Sequence, residues 1–522
     1  MNTFLQRHEE SVTGMISGFD RVRFRGTLRL LANARGMNAF LLYLGVLFKD
    51  FREYVQSVTD QIRRSTEELV ARAGRRLIYL NSPSVSKEEV ARDQARREGI
   101  QEGLICVLSC VEVLWSYEVR CNAKTRMLEV VPASRKCLHY YHYFMDRELG
   151  FMHARLATWF PLTMHVCING REWLGRQLDK AGIDYVRREN CFPHIGDVAG
   201  AQELLAGQLR TNWPELLEGI RRRVHPLHEA LFARRPVDYY WSAEESEWAS
   251  DVMFKSPAAL GRVYPGLVRH GIGTLGSGDV LRFLGKRAAL AGGGIHGKFN
   301  GEVVTDLKER REGVRVKHRV NRNAIKMYDK QGSVLRVETT VNDARDWKVY
   351  RPREGDGPEG PKRWQRLRKG VADMHRRAAV CQAANERYLE ALAQVKDRLP
   401  LGPLVEKVCQ PARWKGRQSR ALNPFSPVDA DLLAAVNRGE FTINGFRNRD
   451  LRTLLHGDAS SAAERRRQAG AVTRKLHLLR AHGLIRKVPK THRYLLTVKG
   501  RRIITALLTA RQADTATLSH AA

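Results

Sequence analysis

Cysteine is scarce in this chain, and its spacing excludes two familiar frameworks. Eight cysteines stand at 106, 110, 121, 137, 167, 191, 381 and 409 of 522 residues, with no CxxC pair. That pattern gives neither a disulfide scaffold nor a zinc ribbon or finger, and in a long chain such thiols read as reduced interior residues. Cys106, Cys110 and Cys121 sharing a zinc with a histidine is the alternative reading, at a spacing no ribbon or finger uses. Long apolar runs are also missing, so no segment is expected to cross a bilayer and no membrane partner is expected. The first residues, MNTFLQRHEESVTG, lack an apolar signal-peptide core, which makes a cytoplasmic location the expectation. Acidic residues are in deficit, 56 against 89 Lys and Arg, for a formal net charge of +33. A field of that sign selects polyanionic partners, and nucleic acid, DNA or RNA, is the expected one.

With 43% hydrophobic residues the chain is globular, and its length calls for several cores. Residues 19–28, FDRVRFRGTL, read as a short strand from Asp20 to Gly26. A long helix is expected from Met37 to Gly74, its first half apolar nearly all round and therefore core. RLIYL reads as a strand, and Ser86 as the cap of helix KEEVARDQARREG. From 115 to 169 short strands follow one another with short connections, which predicts an antiparallel meander. Helix 170–182 follows, then a short strand DYVRRE and helices at 198–208 and 213–233. Residues 244–286 read as three helices, EESEWASDVMF, SPAALGRVYPGLVRHG and SGDVLRFLGKR with Ser277 as its cap, the last two joined by GIGTLG as a helix-turn-helix-like unit or a small helical subdomain.

Period-two alternation in the meander puts His139, Tyr141 and Tyr143 on one strand face, His153, Arg155 and Trp159 on the next, and His165 with Cys167 on a third. If neighbouring strands bring His139, His153 and His165 together, neutral imidazoles suit a metal that polarises a phosphate or activates water. The same residues also read as the filling of a half-buried sheet face, or as stacking platforms for bases. For single strands the candidate stacking residues are Tyr140, Tyr141, Trp159 and Tyr328. GGGIHGKF at 292–299 has the glycines and the lysine of a phosphate loop, but Phe299 stands where a Ser or Thr should hold magnesium. It reads as a hinge, and no nucleotide cofactor is expected.

Residues 313–351 carry three alternating segments, expected to be strands. One face takes Val314, Val316, Val320, Ile325, Met327, Leu335 and Val337; the other takes Arg315, Lys317, Arg319, Lys326, Tyr328, Arg336 and Glu338. The second face is a candidate surface for a phosphodiester backbone, and equally reads as a charged face laced with ion pairs. PREGDGPEGPK then reads as a linker, residues 364–399 as a long connector helix, and QPARWKGRQSRALNPFSP as a second, basic linker.

The C-terminal region runs DADLLAAVNRG, GFRNRDLRTLLHG, AAERRRQAGAVTRKLHLLRAHG, then LIRKVPKTHRYLLTVKG and a closing helix RRIITALLTAR. Val472, Leu476 and Leu479 make an inward stripe, and Gly483 stops the third helix. This order, with its T-x-K-G after the hairpin, resembles winged-helix domains of the MarR type. The resemblance implies that the third helix enters a major groove while the wing touches the backbone. It assigns nucleic-acid contacts to Arg467, Arg474, Lys475, Lys490 and Arg493, with Arg466 on the same exposed helix. A winged helix used for protein contacts is the other reading.

In the central stretch, a strand ending Tyr-Asp-Lys followed by one reading Arg-Val-Glu is similar to a pattern in rolling-circle replication initiators and related mobile-element nucleases. The match covers Tyr328, Asp329, Lys330, Arg336 and Glu338. It implies Glu338 as a metal-binding acid for Mg²⁺ or Mn²⁺, Tyr328 as nucleophile or stacking platform, and Lys330 or Arg336 against the developing phosphorane charge. The two-histidine motif of those nucleases is absent, and the nearest substitutes are His139, His142, His153 and His165. A spaced aspartate series of the RNase H-like transposase kind is also absent, though Asp20 beside the first strand is a candidate member of one.

Together these readings predict a multidomain α+β protein: antiparallel sheets with packed helices, a long connector helix and a C-terminal winged helix-turn-helix domain. The expected segments are 1–110, mixed α/β; 111–235, meander; 236–290, small helical subdomain; 291–352, basic sheet; 353–427, linker and connector helix; 428–522, winged helix. The expected function is nucleic-acid binding, in a mobile element or regulatory system, with the winged helix on duplex and the basic sheet on the backbone. The alternative is a metal-dependent nuclease or a transposase- or initiator-like enzyme.

Overall fold

Strand β1 (Val12–Leu28) is 17 residues long, well beyond the stretch expected from Asp20 to Gly26. Its first half is missed by pattern reading because residues 16–20 are buried in succession, and only from Arg21 onward do exposed and buried side chains alternate. The computed structural model describes residues 3–286, 301–310, 313–353, 355–357, 359–394, 405–406, 408–414, 416–438, 441, 445–489 and 491–512. The protein is of mixed α+β class. Its contacts group into two units. One comprises Thr13–Met253 and Glu338–Ala383, and the other Met1–Val12, Phe254–Val337 and Ala384–Ala522.

The first unit is built on a broad sheet. After β1 come β2 (Leu77–Leu80), β3 (Gly103–Cys121), β4 (Leu128–Asp146), β5 (Gly150–Ala157), β6 (Met164–Asn169), the small pair β7 (Tyr185–Arg188) and β8 (Cys191–Ile195), and β9 (Tyr239–Phe254). The spatial order runs β9-β1-β6-β5-β4-β3-β2. β3 to β6 form the antiparallel meander expected from the sequence, with strands longer than expected, and β2 joins β3 in parallel. Pro132 does not break β4, which runs through it opposite Tyr117.

Four expectations for this unit need correction. The helix expected over 37–74 is two helices, Ala34–Leu44 and Phe51–Arg72, because Gly45 closes the first at φ +74°, a left-handed conformation that glycine adopts without strain. Its apolar half is not wholly core, since Leu42 and Tyr43 are exposed. EESEWASDVMF is not helical: it lies in β9, a 16-residue strand. PREGDGPEGPK is not a linker between domains but the connection between strands Lys348–Arg351 and Arg363–Arg366, which pair antiparallel, and the helix after it begins at Met374.

In the second unit, β10 (Val303–Arg310), β11 (Gly313–Val320), β12 (Asn323–Lys330) and the first half of β13 (Val334–Val341) are consecutive sheet neighbours. The remainder of β13, from Glu338, belongs to the first unit. β10 was not expected. Helices Pro257–Gly273 and Ser277–Phe283 precede these strands, and Tyr264 donates its hydroxyl to the Val314 carbonyl at 2.5 Å. The GGGIHGKF stretch lies outside the described residues.

Toward the C-terminus, helices Pro427–Val436, Asn448–His456 and Ala462–Ala481 are followed by the antiparallel pair Ile485–Lys487 and Tyr494–Leu496, and then by helix Val498–Gln512. Val472, Leu476 and Leu479 are fully or nearly fully buried in one cluster with Leu433, Leu451 and Ile503. Gly500 is required here, because a Cβ on it would lie 1.9 Å from the Leu484 carbonyl oxygen. Part of the second basic linker is also structured, with Ala412–Trp414 pairing with Arg417–Ser419.

Candidate metal centre

Within the first unit β13, β9 and β1 are adjacent in the sheet, and each contributes one buried carboxylate. Asp20 on β1, Glu247 on β9 and Glu338 on β13 are 4%, 8% and 3% exposed. One oxygen from each lies within 4.8 Å of the other two. Among the described residues this is the group of three metal-capable side chains that comes together. Three carboxylates taken out of water at this spacing repel one another strongly, and a buried set of this kind needs cationic compensation.

Part of that compensation comes from the protein. Asn190, in the turn between β7 and β8, donates its Nδ2 to both Asp20 oxygens at 3.0 and 2.9 Å. The Arg171 guanidinium, fully buried, reaches Asp20 at 3.8 Å but is committed to Asp251 at 2.9 Å. Arg21 approaches Glu247 at 3.3 Å from the rim, and Glu247 holds its guanidinium pKa above the usual arginine value. Arg21 remains half exposed, so its charge is screened.

The frame around the three acids is fixed by side chains on the same strands. Ser17 on β1 donates its hydroxyl to Ser250 on β9 at 2.9 Å. Phe19 packs edge-on against Trp248, with ring centroids 4.9 Å apart, and Trp248 donates Nε1 to Gln382 at 2.8 Å. Buried Arg377 binds the Ser246 hydroxyl at 3.0 Å and the Ala243 carbonyl at 2.9 Å, and burial pushes its pKa down to about 10. Beyond Asp20, β1 presents Arg21, Arg23 and Arg25 at alternate positions, each about half exposed and paired with Glu244, Glu245 or Glu247 of β9.

An all-oxygen, all-carboxylate donor set suits hard divalent cations, Mg²⁺ or Mn²⁺, and does not suit zinc, which favours nitrogen and sulfur. Two residues singled out in the sequence, Asp20 and Glu338, therefore come together here. Glu247 joins them from β9, where the sequence predicts a helix, and Asn190 and Arg21 complete the surround. A signal for Glu247 was present: acids at 245, 247 and 251 recur at even spacing.

The other candidates fall differently. His139, His153 and His165 share one sheet face, but the register sets His139 opposite Ala157 and His165 opposite Arg155, and they form no metal-capable group. Burial pushes His139 and His153 down to about 4 and lowers His165, and the Arg155 cation acts in the same direction on all three. A cation among them opposes a second one. His165 instead lies 3.3 Å from Glu244. Cys106 and Cys110 are buried free thiols and Cys121 an exposed one.

In the second unit the expected alternation of β11 and β12 is present, with Arg315 opposite Tyr328 and Lys317 opposite Lys326. The face is nevertheless not an open basic surface. Arg315, Lys326 and Tyr328 are 7–8% exposed, Arg336 is fully buried, and Lys317, Arg319 and Lys330 are intermediate. Strand β10 and the residue before it bring acids against it: Asp306 of β10 pairs with Arg315, and Glu302, just ahead of β10, pairs with Arg319, each at 3.0 Å. Tyr328, beneath the Lys330 ammonium at 5.4 Å from its ring, is not placed to receive a polymer phosphate. Tyr140 and Tyr141 are likewise buried and Trp159 half-buried, which removes them as open stacking platforms. On the C-terminal third helix, Arg466, Arg467 and Arg474 are exposed and Lys475 intermediate; Arg493 is intermediate, and Lys490 lies outside the described residues.

Among the described residues no helix is long and apolar enough to cross a membrane. Comparisons with protein-family models, with curated proteins and with solved structures find no match for this chain.

Proposed function

We propose that this protein binds nucleic acid and cuts or transfers its phosphodiester backbone with divalent metal held by Asp20, Glu247 and Glu338. The observation that carries the reading is the meeting of three buried carboxylates from three adjacent strands within 4.8 Å. Acid groups buried together weaken a fold unless a cation is to sit between them, and a chain of net charge +33 selects a polyanionic substrate. Mg²⁺ or Mn²⁺ bound there supplies a Lewis acid for the phosphate oxygens and lowers the pKa of a bound water.

The protein's own groups have separate tasks in this scheme. Asp20, Glu247 and Glu338 are the ligands. Asn190 fixes the Asp20 carboxylate by holding both of its oxygens. Arg21, Arg23 and Arg25, along the same strand as Asp20, meet the backbone once their glutamate partners on β9 are displaced by phosphate. Duplex contacts come from the C-terminal helices through Arg466, Arg467 and Arg474. A binding protein without chemistry is the second reading, favoured by the cations already beside the acids, Arg21 and Arg171.

The test uses labelled single-stranded, duplex and structured DNA and RNA with Mg²⁺, Mn²⁺ or chelator. Metal-dependent product that disappears in Asp20→Asn, Glu247→Gln and Glu338→Gln supports the enzyme. Absence of product with every metal and substrate, or product undiminished in these variants, overturns it. Calorimetric titration with Mn²⁺ reads the site independently of turnover.

A further inference from the structure

The paired strands Lys348–Arg351 and Arg363–Arg366 lie in the first unit and form a short two-stranded ribbon. Their register puts Lys348 opposite Arg366 and Tyr350 opposite Trp364, so these four side chains share one face. All four are exposed. Tyr350 and Trp364 are 59% and 61% exposed, with ring centroids 5.7 Å apart and planes inclined at 59°. The opposite side of the ribbon is anchored. Val349 and Arg351 are buried, Arg351 donates to the Arg366 carbonyl at 3.1 Å, and Leu367 donates its amide to the Trp347 carbonyl at 2.9 Å.

The outer face carries two costs in the free protein, although the cross-strand contact of its two rings is itself favourable. Two large aromatic rings stand in water, and two cations sit directly opposite each other, an arrangement that destabilises a strand pair. A ligand that stacks on rings and neutralises cations at once relieves both costs. Flexible single-stranded nucleic acid has that chemistry, presenting unpaired bases to the rings and phosphates to the ammonium and guanidinium. A duplex hides its base faces, so the rings gain nothing from it.

We propose that the Tyr350/Trp364 ribbon face is a stacking platform for single-stranded DNA or RNA, with Lys348 and Arg366 on the flanking phosphates. The platform deepens the nuclease reading by naming the substrate class, and rests on that reading for its role in the reaction; its binding step stands apart from it. Anchored packing behind the ribbon keeps the two rings presented before any strand arrives, which lowers the ordering cost of binding.

Fluorescence anisotropy in chelator, where nothing is cut, measures the full-length protein with labelled dT and rU oligomers, with duplex DNA and with anionic lipid vesicles. The Tyr350→Ala/Trp364→Ala variant is expected to lose single-strand affinity by about fivefold or more per ring, while duplex affinity stays level. Tyr350→Phe/Trp364→Phe, which keeps the ring faces, is expected to bind as the parent does. Lys348→Gln/Arg366→Gln is expected to flatten the salt dependence of single-strand binding by about 0.7 per charge. Unchanged single-strand affinity in the double alanine variant overturns the proposal, as does loss confined to duplex or to vesicles. Glu247→Gln separates the two steps: single-strand binding retained while cleavage is lost supports both readings, and single-strand binding lost together with cleavage overturns a platform that binds independently of the acids. A parent protein that cuts nothing, yet loses strand binding with its rings, keeps the platform and removes the enzyme.

Discussion

Asn190 spans both oxygens of the Asp20 carboxylate with a single amide nitrogen, at 3.0 and 2.9 Å. Hydrogen bonds to a buried charge are stronger than neutral ones, and losing such a donor costs about 1–3 kcal/mol. Asn190→Ala is therefore expected to lower the denaturation midpoint. It is also expected to reduce metal affinity or cleavage by about 10- to 100-fold, the usual consequence of freeing a metal ligand from its orienting partner. Asn190→Asp should do more harm, because it brings a fourth carboxylate to the three acids and removes the donor. Thermal melts with and without Mn²⁺ check both: added metal should stabilise Asn190→Asp by more than it stabilises Asn190→Ala.

Gly170 begins the helix Gly170–Ala181 against the backbone of β1, where a Cβ would lie 1.6 Å from the Phe19 carbonyl oxygen. No rotamer change relieves a clash between a Cβ and a backbone oxygen, so either the helix or the strand must move. Asp20 is the next residue along that strand. Gly170→Ala is expected to destabilise by about 1–3 kcal/mol and to lose metal-induced stabilisation at the same time. Gly219, inside helix Trp213–Val224 with nothing within 4 Å of its added Cβ, is the control. Gly219→Ala should raise the melting temperature, worth about 0.4–1 kcal/mol, with the metal response intact.

Local order in the sequence revealed much of this fold, and burial hid the rest. The meander, the alternation of β11 and β12, and the stripe Val472, Leu476, Leu479 all follow from periods of two or 3.6. Glu338 stood out through the pattern of Tyr-Asp-Lys followed by Arg-Val-Glu, and Asp20 as an acid at the start of the first expected strand. Glu247 did not, because β9 is buried along most of its second half and shows no alternation of polar and apolar residues there. Alternation fixes which side chains share a face, not what covers that face, and so Arg315, Lys326 and Arg336 read as exposed although they are buried. Asn190 is a turn residue 170 positions from its partner, a distance no local pattern spans.

Buried histidines make stability depend on acidity. Burial holds His142 down to about 4 and His225 to about 3, far below the ordinary value of 6.5. Folded protein keeps these imidazoles neutral, while unfolded chain protonates them below about pH 6.5. Unfolding therefore takes up protons, and stability falls as pH drops from about 6.5 toward 4, then levels out once the folded form is protonated too. At pH 5 the loss relative to pH 7 is roughly 2 kcal/mol for each such histidine. Denaturant midpoints across pH 5–8 read this directly. His142→Gln, which cannot titrate, should flatten the slope over that range even though it is less stable at pH 7; an unchanged slope would exclude His142 as a source.

Arg466, Arg467 and Arg474 project from the helix Ala462–Ala481, whose opposite side is packed through Val472, Leu476 and Leu479. Glutamine at all three arginines leaves that packing untouched, so the melting temperature should move little. If these residues meet duplex phosphates, removing each charge should flatten the plot of log affinity against log salt by about 0.9. Arg467 lies 3.9 Å from Glu464, an exposed pair that costs little to break, and contributes to the slope with the others. The triple variant should lose duplex affinity most at low salt while single-strand affinity, measured in chelator, stays close to the parent value. A duplex slope that does not change would move duplex recognition off this helix, whatever the outcome at Asp20, Glu247 and Glu338.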